Sequence, residues 1–493
     1  MIKICKEVLR EQPNFWNNVL FHPTDAVEDP WGKRILDRMA EDKSVKTVRI
    51  YTMFEDIVYL DEDGGLQFDF RVSDLRLDYM LEKGYSLLLA YAGMPDCIAS
   101  SNANKTSVSK NKTRYKGKMF NTSPPRDAAL WEEICYEYTR HNVERYGIDR
   151  VSQWYCQCFN EPDIPWFFLS ELPVTEIQAR VEAYCKMYAA FERGIRRVSD
   201  RIPIGGPALA NKHAFLGGWL DYVKENQLKL DFISVHNYGT APAQLLREDR
   251  ITVANNLEKH MAYLETIREH GFENVPLIVD EWGMASGGFQ NIEECPGLIR
   301  RETEVFSAYF VKLVHAFIHM EHQIQGLYLC LSGQHEMVED FTGFRNFFTL
   351  NFIAKPIYNA YVLASKLGGK LLAMEGEDKN ICAIPTKNES GAYAVLLTYA
   401  SEYFEEDLPE VETEIHFEEN LAGKRVTLWC IDKNTTNPYR LYQKLGIQTP
   451  SAEDLKCLRN EGRLKPVYEG ILTESALPLK LTANAVMLIT VQE

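Results

Sequence analysis

The sequence predicts an α/β protein, with a (β/α)8 or TIM barrel at residues 1–365 and an all-β sandwich domain at residues 366–493. Short apolar, β-branched segments recur through the first part, and stretches of helical periodicity fill the intervals between them. After about Lys366 the pattern changes to alternating apolar and polar residues. The length of 493 residues fits one barrel and a smaller companion domain.

Eight segments have the length and composition of barrel strands, being rich in aliphatic and aromatic residues and flanked by turn-forming or charged ones. In chain order they are Phe15–Phe21, Lys46–Met53, Tyr85–Ala92, Gln153–Asn160, Ile202–Leu209, Leu230–Tyr238, Pro276–Trp282 and Gly326–Gly333. Helical patterns are plainest at Asp74–Lys83, Ala128–Tyr146, Thr175–Val198, Ala254–His270 and Glu302–His319. Each predicted helix has an apolar stripe that can pack against the barrel.

The second domain is predicted from alternating segments separated by turn-rich stretches. The clearest of them are Gly391–Tyr399, Glu412–Phe417, Arg425–Ile431 and Ala485–Val491. Alternation of this kind is typical of strands that have one face in a core and the other facing away from it. We therefore expect an all-β accessory domain.

Charge and cysteine content exclude several classes of partner. The formal net charge of -16 argues against nucleic acid and anionic membranes, because binding phosphates requires a basic surface. The eleven Cys include no CxxC pair, so we expect neither a disulfide framework nor a zinc ribbon, and a reducing, cytoplasmic location follows. Charged residues near the N-terminus argue against a signal peptide, and no apolar stretch is long enough to span a bilayer.

Two glutamates follow predicted strands at the C-terminal face, where barrel enzymes carry their active sites. The fourth strand leads into Asn160-Glu161-Pro162 and the seventh into Asp280-Glu281-Trp282. Strands four and seven lie on opposite sides of the barrel mouth, so the carboxylates of Glu161 and Glu281 can meet at roughly 5 Å. Glycoside hydrolysis with retention needs such a pair, one group to protonate the leaving oxygen and one to attack the anomeric carbon. An isolated Glu after a strand is usually solvated, whereas this combination favours catalysis.

Several further segments appear in an order that is specific to one family. They are Val48-Arg49-Ile50-Tyr51, Leu81–Ser100, Asn121–Pro125, Glu144–Gly147, Trp154–Pro162, Gly205–Ala208, Ser234–Tyr238, Val279–Trp282, Ala354–Pro356 and Ile431–Pro438. With them the chain resembles glycoside hydrolase family 39, the β-xylosidase family of a retaining clan, over almost its whole length.

The resemblance implies that Glu161 is the general acid/base and Glu281 the nucleophile. It also implies that Asn160 holds the sugar 2-hydroxyl and that His236 and Tyr238 lie near the nucleophile. A Tyr hydroxyl that donates to a carboxylate keeps it ionised. Arg49 is a further candidate for holding Glu281 charged, and Trp282, beside the nucleophile, is expected to contact substrate.

Three positions depart from the family pattern. Where relatives usually have a His, a Glu and a Trp on the second, third and eighth strands, this chain has Tyr51, Ala90 and Leu329. These positions would contact the sugar in the minus-one subsite, where unpaired polar groups are costly enough to shift substrate choice. Glu336 and His335 could supply replacement contacts, and Tyr51 itself is expected to lie in the substrate-binding site.

We expect an exo-acting β-xylosidase acting on short plant-type oligosaccharides by double displacement, with no metal or organic cofactor. Two alternatives stay open: the same mechanism on an arabinoside, galactoside or uronide, and a carbohydrate-binding pseudoenzyme. Family relatives are often oligomeric, which leaves homo-oligomerisation open as well.

Two weaker signals are also present. His315, His319 and His322 share one helical face, and a metal site there is the less favoured interpretation. The polar stretch Ser100–Pro125 contains six Lys and Arg and is expected to be a βα loop beside the site, and a solvated loop is favoured over one that attracts an acidic sugar.

Overall fold

The structure is a computed structural model that describes residues 1–12, 14–22, 26–106, 119–320, 324–332, 336–376 and 379–492. In chain order the strands are β1 (Ile2–Glu11), β2 (Asn18–Phe21), β3 (Thr47–Tyr51), β4 (Val58–Leu60), β5 (Leu66–Phe68), β6 (Ser86–Tyr91), β7 (Lys105–Thr106), β8 (Phe120–Asn121), β9 (Tyr155–Cys158), β10 (Ile204–Leu209), β11 (Phe232–Thr240), β12 (Leu277–Ala285), β13 (Ile324–Leu331), β14 (Lys370–Glu375), β15 (Ile381–Lys387), β16 (Tyr393–Tyr399), β17 (Val411–Phe417), β18 (Arg425–Ile431), β19 (Pro466–Ile471), β20 (Ala476–Leu481) and β21 (Ala485–Gln492).

Eight parallel strands close into a barrel in the order β10-β11-β12-β13-β2-β3-β6-β9. They correspond one to one to the eight predicted segments, so the predicted TIM barrel is confirmed. Strands of this kind can be recognised from sequence because both faces are buried, one inside the barrel and one beneath the helices, which produces nearly continuous apolar runs.

The helices are α1 (Pro30–Glu41), α2 (Arg71–Glu82), α3 (Ala128–Tyr146), α4 (Ile148–Val151), α5 (Ile177–Arg196), α6 (His213–Glu225), α7 (Pro242–Glu248), α8 (Ala254–Glu269), α9 (Glu304–Ile318), α10 (Pro356–Ala364), α11 (Pro438–Lys444) and α12 (Ala452–Glu461), and 3-10 helices cover Phe54–Asp56 and Pro296–Glu302. The five predicted helices are α2, α3, α5, α8 and α9. Helix α6 was not singled out because Gly217 and Gly218 lower its helix propensity. Its packing explains the first glycine, since a Cβ at Gly217 would lie 2.6 Å from His270 Nε2.

The second domain is the predicted all-β unit, and its strands form a nine-stranded sheet in the order β19-β18-β21-β16-β15-β14-β1-β17-β20. The sheet folds around its own core, in which Val395 and Ile489 belong to the same cluster as Ile415. Along β16 and β21 the alternate residues Leu396 and Leu488 join the core of the barrel. One face of these strands therefore fills the sandwich, and the other packs against the catalytic domain.

The N-terminal strand departs from the predicted division at residue 365. Strand β1 pairs antiparallel with β14 and parallel with β17, and Ile2 and Ile4 are buried in the core of the second domain. Residues 2–11 thus belong to the second sheet, although the sequence analysis assigned them to the barrel. Their partners lie more than 350 residues away, as in the pair Lys3 and Glu375, so no local pattern could indicate this pairing. We keep a boundary near residue 366 as a proposal for the rest of the chain.

Helix α9 connects the two domains through hydrogen bonds that its side chains form with residues of the second domain. Lys312 donates from Nζ to the carbonyl oxygens of Ala400 and Ser401 at 3.1 and 2.8 Å. At the start of the helix, Glu304 accepts from Asn437 at 2.7 Å and from Arg440 at 2.8 Å. Among the described residues, every helix is too short or too polar to cross a bilayer.

Candidate active site

The barrel brings Glu161 and Glu281 together. Glu161 follows β9, Glu281 lies in β12, and β10 and β11 separate these strands around the barrel. One carboxylate oxygen of each glutamate and one ring nitrogen of His236 all lie within 4.8 Å of one another. This convergence is what the positions of the two strands predicted.

An unusual backbone directs Glu161 towards the barrel mouth. Phe159 and Glu161 both have positive φ values, 64° and 47°, a conformation that costs roughly 1–3 kcal/mol for residues other than glycine. Hydrogen bonds to the neighbouring strands maintain it, because Phe159 N donates to Tyr91 O at 3.1 Å and Glu161 N donates to Ala208 O at 3.0 Å. The strained turn therefore sits at the functional site and is held from both sides.

Three donors surround the carboxylate of Glu281. Arg49 Nη1 donates to Oε1 at 2.8 Å, Tyr51 OH donates to Oε1 at 3.3 Å, and Tyr238 OH donates to Oε2 at 2.6 Å. Burial raises the pKa of Glu281, but the charges of His236 and Arg49 and the hydrogen bond from Tyr238 outweigh it and lower the pKa to about 2. Glu281 is therefore a carboxylate at neutral pH.

His236 joins the two glutamates. Its Nδ1 lies 2.8 Å from Glu161 Oε1, and its Nε2 lies 3.5 Å from Glu281 Oε1 and 3.6 Å from Asp280 Oδ2. Burial lowers the pKa of His236, yet the charges of Glu281 and Asp280 raise it to about 10, so the ring is an imidazolium. Burial raises the pKa of Glu161, with a smaller contribution from the charge of Glu281, and this exceeds the lowering by His236. The two glutamates thus have pKa values shifted in opposite directions.

Arg49 is wholly buried behind the nucleophile, and it also orients the residue before the acid. Its Nη2 donates to Asn160 Oδ1 at 2.8 Å and its Nε donates to Gln157 Oε1 at 2.9 Å. Gln157 in turn donates to Ser234 at 2.6 Å and to Asp280 at 2.7 Å. Gln157 was not among the predicted site residues, although a polar residue inside an otherwise apolar strand is a usable signal.

An open cavity of about 430 Å³ lies above these groups, a size suited to a small ligand. Five of the predicted site residues line it, namely Tyr51, Asn160, Glu161, Tyr238 and Glu281. Arg49 and His236 contact the carboxylates from behind and are not part of the lining.

Trp282 does not occupy the position predicted for it. Trp282 is fully buried beneath α9, with its ring stacked on Phe310 at 5.8 Å and edge-on to Phe306. The backbone of β12 is irregular at this point, since its pairing with β13 shifts between Val279 and Trp282. Asp280 and Glu281 both contact Arg49 inside the barrel, whereas Trp282 faces outward. Glu336 is not among the residues that line the cavity, and His335 lies outside the described residues.

The sequence analysis missed one buried cation of the cavity, Arg345. Its guanidinium lies over the ring of Tyr238 at 4.6 Å, and its Nε donates to Ser332 Oγ at 3.2 Å. Gly288 provides the space, since a Cβ there would lie 2.1 Å from Arg345 Nη2. An Arg within the aromatic run Phe341–Phe348 is the signal that could have found it.

The weaker signals lie away from this cavity. His315 and His319 contact each other at the C-terminal end of α9 with ring centroids 4.5 Å apart, and burial lowers the pKa of the half-buried His315 to about 4, so its ring is neutral at pH 7. His322 lies outside the described residues, as do residues 107–118 of the basic stretch. Lys105, which lies in the described part of that basic stretch, forms an ion pair with Asp96.

Comparisons with known proteins agree with this geometry. The model of glycosyl hydrolases family 39 matches residues 2–473. The "Beta-xylosidase" of Caldicellulosiruptor saccharolyticus is 25% identical over 445 residues, which covers 86% of this chain and 83% of that protein. The "Alpha-L-iduronidase" of Mus musculus is 22% identical over 262 residues, covering 48% and 34%.

A crystallised family 39 β-xylosidase from Caulobacter crescentus superposes with a TM-score of 0.80 at 18% identity, and the match covers 100% of this chain and 99% of that one. At this identity the superposition supports the barrel and the accompanying β domain, while the family match over nearly the whole sequence decides the family. The chain belongs to family 39 of the glycosyl hydrolases, enzymes that hydrolyse O-glycosyl bonds.

Proposed function

We propose that this protein is a retaining, exo-acting glycosidase with β-xylosidase as its leading activity, and that Glu161 is the general acid/base and Glu281 the nucleophile. The observation that carries the proposal is the pair of carboxyl groups with oxygens within 4.8 Å of each other and pKa values shifted apart. Retaining enzymes place their carboxyl groups about 5–5.5 Å apart, whereas inverting enzymes need roughly 6.5–9.5 Å to admit a water.

The reaction proceeds in two displacements. In the first, Glu281 attacks the anomeric carbon while protonated Glu161 gives its proton to the departing glycosidic oxygen, which leaves a glycosyl ester on Glu281. In the second, Glu161, now a carboxylate, takes a proton from a water that attacks the anomeric carbon and releases Glu281. The product keeps the anomeric configuration of the substrate.

The surrounding residues support these steps. Arg49 and Tyr238 stabilise Glu281 as a carboxylate, both before attack and when it departs in the second displacement. Because Oδ1 of Asn160 accepts from Arg49, its Nδ2 is free to face the cavity and donate to the sugar 2-hydroxyl. A hydrogen bond to the 2-hydroxyl strengthens as the oxocarbenium-like transition state forms.

Membership of family 39 supports exo action on short oligosaccharides. Buried side chains of Leu20, Cys330 and Leu331, from the adjacent strands β2 and β13, line the cavity beside the catalytic groups. The "Beta-xylosidase" relative from C. saccharolyticus supports xylose as the terminal sugar.

A uronide substrate is the second candidate, because of Arg345. This cation lines the cavity and is 7% exposed, and among the described residues it has no carboxylate within ion-pairing distance. Lys259 lines the same cavity and donates to Tyr238 O at 2.9 Å. A sugar carboxylate would pair with Arg345 in a buried, charge-assisted hydrogen bond, and the "Alpha-L-iduronidase" relatives support the same alternative.

We place the reaction in the cytoplasm as part of this proposal. All eleven cysteines are free thiols, and seven of them are buried. Such a population is typical of proteins from reducing compartments.

A panel of 4-nitrophenyl glycosides tests the proposal, with the configuration of the first-formed product followed by proton NMR. We expect hydrolysis of the β-xyloside with the β-anomer appearing first, and no turnover by Glu281→Gln. Appearance of the inverted anomer would overturn the retaining mechanism. Saturable binding without release of nitrophenol would support the pseudoenzyme alternative.

A further inference from the structure

The cavity has two kinds of lining. It is lined by the polar side chains of Asn160, Glu161, Tyr238 and Glu281, and also by Ile164, Trp166, Phe167 and Phe289, which are apolar. Trp166 is 59% exposed, and the hydrolytic mechanism described above does not use it. A large aromatic ring left in water beside a pair of catalytic carboxylates requires an explanation, because its burial against a partner would be favourable.

Trp166 lies on the same segment as the acid/base. It follows Glu161 by five residues, in the connection between β9 and α5. The proton that Glu161 donates goes to the oxygen of the leaving group, so the leaving group must lie on the side of the cavity from which this segment comes. Trp166 is therefore on the leaving-group side of the scissile bond.

This connection is rigidly held even though Trp166 is exposed. Arg180 is buried and donates to carbonyl oxygens along it, at 3.2 Å to Phe168, 3.0 Å to Leu169, 2.7 Å to Leu172 and 2.8 Å to Pro173.

At the other end of the connection, the buried carboxylate of Asp163 accepts from the backbone N–H groups of Ala210, Asn211 and Lys212 at 2.9, 2.9 and 3.0 Å. Ala210 and Asn211 line the cavity too. The exposed indole is thus presented by a preorganised segment, which reduces the entropy lost when a ligand stacks on it.

We propose that Trp166 forms the leaving-group subsite and binds a pyranose or aryl ring by stacking on its apolar face. This inference rests on the proposed glycosidase function. It makes Trp166 a determinant of which leaving groups are accepted, while the residues around the two glutamates determine which sugar is cleaved. An aromatic contact of this kind is expected to change kcat/KM by roughly 3- to 10-fold.

The test compares leaving groups with and without a ring. For Trp166→Ala we expect kcat/KM to fall roughly 3- to 10-fold on 4-nitrophenyl β-xyloside and on xylobiose, and to be unchanged on β-xylosyl fluoride, whose leaving group has no ring. Trp166→Phe should retain most of the activity on the ring-bearing substrates. Tyr59→Ala, which removes an aromatic residue of similar exposure (51%) outside the cavity, is the matched control and should leave all three substrates unaffected.

Two results would contradict the proposal that Trp166 forms the leaving-group subsite. One is an equal loss on the fluoride and on the ring-bearing substrates, which would mean that Trp166 only positions Glu161; the other is no loss on any substrate. Failure of the unmodified enzyme to hydrolyse any of the three would instead contradict the proposed β-xylosidase activity. Calorimetry with the inactive Glu281→Gln variant separates the two cases, because xylobiose should bind more tightly than xylose and the added Trp166→Ala change should abolish that difference.

Discussion

Arg49 and Glu281 form a buried ion pair below the cavity, with Nη1 of the arginine 2.8 Å from Oε1 of the glutamate and side-chain exposures of 0% and 9%. The same guanidinium donates to Asn160 and Gln157. One cation thus keeps the nucleophile ionised and orients the amide expected to bind the sugar 2-hydroxyl.

Replacing Arg49 should impair both functions. We expect Arg49→Met to lower kcat/KM by about 100-fold or more, since breaking a buried pair typically costs about 3–5 kcal/mol. The acid limb of the pH profile should move upward, because the pKa of Glu281 loses a neighbouring positive charge. Arg49→Lys retains that charge and should leave the acid limb near its original position while still losing activity; equal pH shifts in both variants would contradict this assignment.

Removing the hydrogen bond from Tyr238 to Glu281 should reduce activity less than replacing Arg49 does. Tyr238→Phe should lower kcat about 10-fold, as a hydrogen bond to a charged group contributes about 1.5–3 kcal/mol and part of it is recovered by solvent. The pKa of Glu281 should rise, which is measurable as a higher acid limb in kcat/KM. Tyr263→Phe, which removes a hydroxyl that donates only to the backbone carbonyls of Ala210 and His236, is a suitable control.

The opposite pKa shifts predict a broad pH optimum. Activity requires ionised Glu281, whose pKa is lowered to about 2, and protonated Glu161, whose pKa is raised above its ordinary value of 4.5. Activity is therefore lost as the pH rises through the pKa of Glu161, while the acid limb lies well below 4.5. Glu161→Gln, assayed on an aryl glycoside with a good leaving group, should lose the alkaline limb; its persistence would assign that limb to another residue.

Azide should rescue the two catalytic variants with different stereochemistry. Glu281→Ala leaves room for azide to attack from the side of the missing nucleophile and should give a glycosyl azide of inverted configuration. In Glu161→Ala, azide intercepts the glycosyl-enzyme and should give the retained anomer on an activated substrate. Exchange of these two outcomes would show that the roles of Glu161 and Glu281 are reversed.

Replacing Arg345 should affect the two candidate substrates, a uronide and a β-xyloside, to different extents. Arg345→Gln should reduce kcat/KM on an aryl uronide at least 10-fold more than on the aryl β-xyloside, because only the uronide loses a charge-assisted contact, worth about 1.5–3 kcal/mol. The ratio of the two values is the quantity to measure, since effects on folding or on Glu281 cancel in it. A ratio that does not change would remove the support that Arg345 gives to the uronide alternative.

Much of the architecture and the two glutamates could be predicted because the relevant signals are local. A strand buried on both faces is apolar along its length, so the eight barrel segments are visible without knowledge of their partners. The catalytic positions follow from them, because Glu161 and Glu281 directly terminate or extend such runs and the barrel places strand ends on one face.

Which strands pair and which way side chains face could not be predicted from the sequence, because both depend on the tertiary structure. Strand β1 joins the second sheet because Ile2 and Ile4 complete a core whose other members lie more than 350 residues away. Trp282 faces α9, whereas Asp280 and Glu281 before it both contact Arg49 inside the barrel, which strict alternation along β12 would not predict.

The electrostatics of the site are likewise a property of the tertiary structure. The two glutamate pKa values are shifted apart because burial raises that of Glu161, while His236, Arg49 and Tyr238 lower that of Glu281. These three residues come from β3 and β11 and approach the carboxylates only when the barrel closes. The sequence by itself determined which elements form and which residues end them. The tertiary structure decided which charges face each other, because Coulomb and hydrogen-bond energies depend on distance through space and not on separation along the chain.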